Sequence, residues 1–300
     1  MTRSNNTTAI LQALLVTFLW STSFVLIKWG LQDLPPVTFA SLRYLLAALM
    51  LLPVLLRRGG AAELRTLSRR DWGWLSLLGL VYYTLTQGAQ FLALSYMPAN
   101  TVSLLLSLSS VSIALLGLWL LAEKLSTGQW LGISLALVGA FIYFGSFGQL
   151  PLNAWAVGAL AVLSNSFAAV MGRAVNRRQT LSPLLVTVVS MGIGSLVMLA
   201  WGLASEPFPV LGLRQWTLIL ILASLNTAFA FTLWNHTLRT LSAAQSSVIN
   251  NTMLIQIAIL AWLFLGERLT PVEIAGLLVA ALGTLLVQVR RKPLPADGEL

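Results

Sequence analysis

Residues 121–132 read LAEKLSTGQWLG, and residues 265–276 read LGERLTPVEIAG. An acid, a base, a leucine and a hydroxyl thus follow an apolar run twice, 144 positions apart, in a chain with only nine acidic residues. The same shift pairs Gly132 with Gly276, Gly139 with Gly283, Ala99 with Ala243 and Ser103 with Ser247. Nearer the start of each half the offset drifts: STSF (21–24) meets SNSF (164–167), and Pro36 meets Pro183, as loop insertions would produce. The chain reads as one unit used twice, over 1–147 and 148–292, with a tail at 293–300.

Composition names the solvent. Of the 300 residues, 57% are hydrophobic and 9% charged, far from the roughly 25% charged content of soluble domains, and mean hydropathy is +0.84. Ten apolar runs stand out, at about 9–31, 36–56, 73–96, 99–122, 127–147, 151–173, 181–203, 214–238, 242–265 and 271–290. A helix of about 20 residues at 1.5 Å rise crosses a ~30 Å hydrocarbon core. The predicted fold is an all-α integral membrane protein of ten transmembrane helices. The first run is too long for a signal h-region and lacks a small-residue cleavage pattern, so it is expected to stay in the protein. The absence of cysteine removes disulfides and thiolate chemistry.

The net charge of +9 follows topology rather than a nucleic-acid partner. With ten alternating spans, all of the 18 Lys and Arg except Lys28, Arg43, Arg214 and Arg268 fall on the side of the N-terminus. By the positive-inside rule both termini are expected to be cytoplasmic. Five spans per unit is an odd number, so the second copy must enter the bilayer from the opposite side. The expectation is a pair of inverted repeats, with Glu123 and Glu267 at opposite surfaces as repeat-end caps. Ser126 and Thr270 are placed to cap the fifth helix of each unit, and Pro271 suits its first turn. Catalysis or ion coupling by the two carboxylates is the other reading.

Inverted repeats recur in secondary transporters, which expose a midplane site alternately to either side. LWSTSF in the first run, PPVTFASLRYLLAALMLLP across the second, and the twice-used string resemble the drug/metabolite transporter superfamily, in particular its EamA-type members. The resemblance covers about residues 9–290. It implies a ten-helix basket whose central cavity is lined by the first, third, fourth, sixth, eighth and ninth helices. It also implies a metabolite as substrate, with amino-acid export from the cytoplasmic (inner) membrane foremost, a drug or quaternary cation as the alternative, and no cofactor. The protein is expected to act as a monomer or weak homodimer, with the lipid bilayer and a small-molecule metabolite as its partners and no nucleic acid.

Other classes are tested by residue type. No G-x-x-x-x-G-K-[ST] occurs, so ATP drive would need a separate subunit; no H-E-x-x-H occurs, and there is one histidine, so a metalloprotease is excluded and no metal site is expected. An intramembrane serine-type enzyme with a lysine base is the one enzymatic alternative.

Polar side chains deep in a bilayer are costly and therefore informative. Trp20, Ser21, Tyr82, Tyr83, Gln87, Ser107, Asn165, Asn226 and Asn251 fall near span midpoints, and Asn250 adjoins them. The repeat register pairs Tyr82 with Asn226 and Ser107 with Asn251, which suggests a cavity of amides, hydroxyls and aromatic faces. Adjacent helical residues lie about 100° apart, so Tyr82 and Tyr83 cannot both face it, and Tyr82 is the choice. Ser103, Ser107, Ser110 and Ala114 form one small-residue stripe, read as close helix packing. Arg43 lies seven residues into the second span, roughly 10 Å deep. Its guanidinium either reaches the outer headgroups or holds a substrate carboxylate. Lys28, near the end of the first span, can snorkel.

Overall fold

The computed structural model describes residues 3–121, 125–145, 150–177, 181–238, 240–241 and 243–288. Ten helices among them are long and apolar enough to cross a membrane: Thr7–Gly30, Pro36–Arg57, Arg69–Tyr96, Ala99–Leu116, Thr127–Gly145, Leu152–Gly172, Pro183–Ser205, Leu213–Thr237, Gln245–Leu265 and Pro271–Gln288. In hydrocarbon every backbone polar group must be satisfied within the segment, which leaves the helix as the state open to such runs. Phe141 and Trp262 point outward with 79% and 60% exposure. Such side chains are lipid contacts in a bilayer-spanning bundle.

The opening strings are built as reciprocal caps. Ser126 Oγ accepts from Gln129 N at 3.3 Å while Gln129 Oε1 accepts from Ser126 N at 3.0 Å. Thr270 Oγ1 accepts from Glu273 N at 3.3 Å while Glu273 Oε2 accepts from Thr270 N at 2.7 Å. Each pair satisfies orphan donors at the start of a span. Glu267 works elsewhere: its carboxylate accepts from Ala99 N and Asn100 N at 2.7 and 3.1 Å, closing the start of the fourth span. Glu123 lies outside the described residues.

Two more acids cap across the bundle. Glu63 accepts from Ser182 N and Oγ at the start of the seventh span. Glu206 accepts from Thr38 N and Oγ1, both at 2.8 Å, and from Val37 N, in the first turn of the second span. Carboxylates suit these ends because the first-turn N–H groups carry partial positive charge. Lys28 is tied to a neighbouring helix end. Its Nζ donates to Leu94 O and Met97 O at 3.0 and 3.1 Å, covering the last carbonyls of the third span.

The fifth and tenth spans meet through glycine. A Cβ on Gly139 would lie 2.2 Å from Ala280 N, and one on Gly283 would lie 2.2 Å from Ala136 N. Small residues here let the two backbones touch. The third and eighth spans each contain a π-helical segment, Leu80–Gln87 and Ser224–Phe229. Thr86 Oγ1 donates to Val81 O and Thr227 Oγ1 to Leu222 O, each five residues back at 2.8 Å. Widened turns of this kind frequently mark functional sites.

Candidate functional site: a central cavity

A cavity of about 760 Å³ lies inside the bundle, bounded by residues of every span except the seventh. The resemblance implied walls from six helices. The second, fifth and tenth also contribute, because Arg43 and Tyr44 reach in from the side while Gln129 and Gln288 close one end. Gln288 Nε2 donates to Ser110 Oγ, and its Oε1 accepts from Ser247, so one amide ties the fourth and ninth spans. Gln129 Nε2 donates to Val287 O at 3.2 Å.

The second and third spans supply a polar wall. Arg43 is 4% exposed and does not reach a headgroup layer. Its Nε donates to Thr227 Oγ1 at 2.9 Å and its Nη2 to Ser23 Oγ at 3.5 Å. Its Cζ stands 5.0 Å from the Tyr44 ring centroid, within cation–π range. Tyr44 in turn donates to Gln87 Oε1 at 2.6 Å. Thr227 and Gln87 both belong to the π-helical segments, whose extra residue per turn sets their direction.

Of the residues chosen by depth, Trp20, Tyr82, Gln87, Ser107, Asn165, Asn250 and Asn251 line the cavity. Trp20 packs against Phe231 and Trp234, with ring centroids 5.5 and 5.2 Å apart. Asn251 Oδ1 accepts from Thr284 Oγ1 at 3.3 Å, and its buried Nδ2 has no partner among the described residues. Ser21, Tyr83 and Asn226 sit outside the wall. Ser21 Oγ is within hydrogen-bond distance of Thr17 O and Gln256 Oε1, at 2.8 and 2.9 Å. Asn226 Nδ2 donates to Leu19 O and to Thr22 Oγ1, pinning the eighth span to the first. Tyr83 packs on Tyr44 and beside Gly194 of the seventh span. In each case the group has the expected depth but faces a neighbouring helix.

The serine stripe also differs from its sequence reading. Ser103, Ser107, Ser110 and Ala114 form part of the cavity wall. Ser103 and Ser107 donate to the carbonyls three residues back at 2.9 and 2.7 Å, the local bond open to a serine within a helix. Sequence reasoning passed over Ser23, Tyr44, Gln90, Gln129, Ser247 and Gln288. For Tyr44 a signal existed, since it adjoins the buried base. Among the described residues no Asp or Glu lines the cavity, and no cluster of His, Asp or Glu able to hold a metal occurs.

The sequence model of the EamA-like transporter family matches residues 7–145 and again residues 153–289. The chain belongs to the EamA-like transporter family. An uncharacterized transporter of Bacillus subtilis, YvbV, is 28% identical to this EamA-like chain, over 95% of it and 92% of the relative. An S-adenosylmethionine/S-adenosylhomocysteine transporter of Chlamydia trachomatis is 26% identical, over 91% of this chain and 85% of the relative. A solved crystal structure matches with a TM-score of 0.68 at 17% identity, covering 93% of this EamA-like chain and 96% of that one; the likeness is one of fold.

Proposed function

We propose that this chain is a secondary transporter, with no ATP use and no catalytic chemistry of its own. It moves a small polar or zwitterionic metabolite across the cytoplasmic membrane by alternating access, and the favoured substrate is an amino acid exported from the cytoplasm. The two units, 1–147 and 148–292, act as inverted repeats, with both termini cytoplasmic. The observation that carries this reading is the cavity. Both units contribute amides, hydroxyls and aromatic rings to it, and among the described residues on its wall the one formal charge is that of Arg43. Polar groups are retained in a bilayer where they face a substrate path.

The same charge weighs against a drug or quaternary-cation exporter, since a cation beside Arg43 would meet repulsion with no carboxylate to offset it. Among the described residues the serine-type enzyme finds no base at the cavity: Lys28 Nζ is bonded to two carbonyls, and neither Lys28 nor His236 lines it. A second transport reading draws on the relative named for S-adenosylmethionine and S-adenosylhomocysteine, and takes the latter, a neutral amino acid joined to a nucleoside, because the sulfonium of the former adds a positive charge. A cavity of about 760 Å³ with Trp20 and Phe231 on its wall has the room and the stacking faces for a nucleobase.

Reconstituted protein in liposomes, offered labelled neutral amino acids, S-adenosylhomocysteine, nucleosides and cationic dyes, tests both readings. Saturable flux of a neutral amino acid or of S-adenosylhomocysteine is expected. Flux of dyes alone would sink the proposal.

A further inference from the structure

Among the described residues the Arg43 guanidinium has no counter-ion. Its two bonded neighbours, Thr227 Oγ1 and Ser23 Oγ, are neutral hydroxyls. Thr227 spends its proton on Leu222 O, so toward Arg43 it can only accept. The Tyr44 and Phe91 rings stand 5.0 and 6.0 Å from Cζ. Among the described residues the one ion pair is Arg214–Asp33, and no acid lines the cavity. A guanidinium keeps its proton at any physiological pH, and a charge removed from water without a partner is strongly unfavourable. The cavity wall is one anion short.

We propose that Arg43 is the subsite for a carboxylate on the transported molecule, so that the substrate class is a carboxylate-bearing metabolite with no net positive charge. This rests on reading the cavity as the substrate path. The bond from Nε to Thr227 and that from Nη2 to Ser23 hold the plane of the fork, while Nη1 has no hydrogen-bond partner among the described residues. A planar fork held in this way suits a carboxylate better than a point charge does. Gln87 adds a second donor: its Oε1 takes the Tyr44 proton at 2.6 Å, which leaves its amide Nε2 for a ligand oxygen at the same wall. Thr227 and Ser23 are positioning residues, and Arg43 is the contact.

The test compares matched ligands on the purified full-length protein. Neutral L-amino acids, S-adenosylhomocysteine, the carboxamide of each, and simple monocarboxylates such as pyruvate and benzoate are assayed by equilibrium binding and by melting-temperature shift. Wild type is expected to bind at least one carboxylate about 10- to 150-fold more tightly than its carboxamide, the worth of a hydrogen bond to a charged group. Arg43→Gln should bring that ratio near one. A purely structural Arg43 would weaken both ligands together and leave the ratio intact, which overturns the subsite. So does a wild-type cavity that binds no carboxylate. If Arg43→Gln does not accumulate, Arg43→Lys carries the test, because an ammonium lacks the fork: its ratio must fall, and an unchanged ratio overturns the proposal. Binding of monocarboxylates without any amino acid or S-adenosylhomocysteine sinks the amino-acid reading and leaves Arg43 as the anion subsite.

Discussion

The Glu267 carboxylate accepts the backbone N–H of Ala99 at 2.7 Å, so the chain just after the ninth span closes the start of the fourth. The neighbouring Asn100 N donates to its second oxygen. The contact joins residues 168 positions apart and makes an N-cap out of a tertiary bond. Glu267→Ala is expected to lower stability by ~1–2 kcal/mol, the worth of a lost cap with its charge. Glu267→Gln should cost less, and flux per folded molecule should survive in it. Melting temperature and liposome flux, measured on the same preparations, check this. Lost flux at unchanged melting temperature would assign Glu267 to coupling instead.

Asn226 and Tyr82, which the repeat register pairs, are expected to behave differently. Asn226 holds the eighth span to the first through Leu19 and Thr22, so Asn226→Ala should lower the melting temperature of the empty protein. A lost buried hydrogen bond costs ~1–3 kcal/mol. Tyr82→Ala should leave that temperature nearly unchanged and weaken substrate binding, because Tyr82 faces the cavity. Reversal of the two phenotypes would show the wall to be misassigned.

Gly139→Val is expected to fail to accumulate, since its Cβ would fall 2.2 Å from Ala280 N and 2.6 Å from Gly276 O, both backbone atoms. Overpacking costs ~1–3 kcal/mol where side chains can move, and backbone cannot move aside so easily. Gly192→Ala is the control, with nothing within 4 Å of its added Cβ. Fluorescent-fusion size-exclusion profiles separate the two, and normal Gly139→Val profiles would remove the fifth–tenth clasp.

Topology has its own test. Reporters fused after Leu300 and near Arg58 should both report the cytoplasm, and one near Glu206 should report the opposite side, as the distribution of Lys and Arg requires. Opposite locations for the two termini would remove the inverted-repeat proposal.

Span number and depth were legible in the residues, and azimuth was not. Ten apolar runs, the caps at Ser126 and Thr270, and the glycines at 132, 139, 276 and 283 are local or periodic signals. A 1.5 Å rise converts residue number into depth, which brought Trp20, Tyr82, Gln87, Ser107, Asn165, Asn250 and Asn251 to the level at which they line the cavity. The same rule brought Ser21, Tyr83 and Asn226 to that level, yet these face neighbouring helices. Nothing in a span that is apolar on all sides reports its rotation about its own axis.

By itself the sequence determined the solvent, the helices, their repetition and the one base deep in a span, because hydrophobicity and spacing are properties of the chain alone. The tertiary structure decided the rest. It chose which acid caps which helix, as with Glu267 on Ala99 and Glu206 on Thr38. It turned the fourth-span serines toward an open wall, and it left Arg43 among hydroxyls and rings without an anion. Those outcomes depend on which side chains from distant parts of the chain arrive at the same point, and only packing ten helices together fixes that.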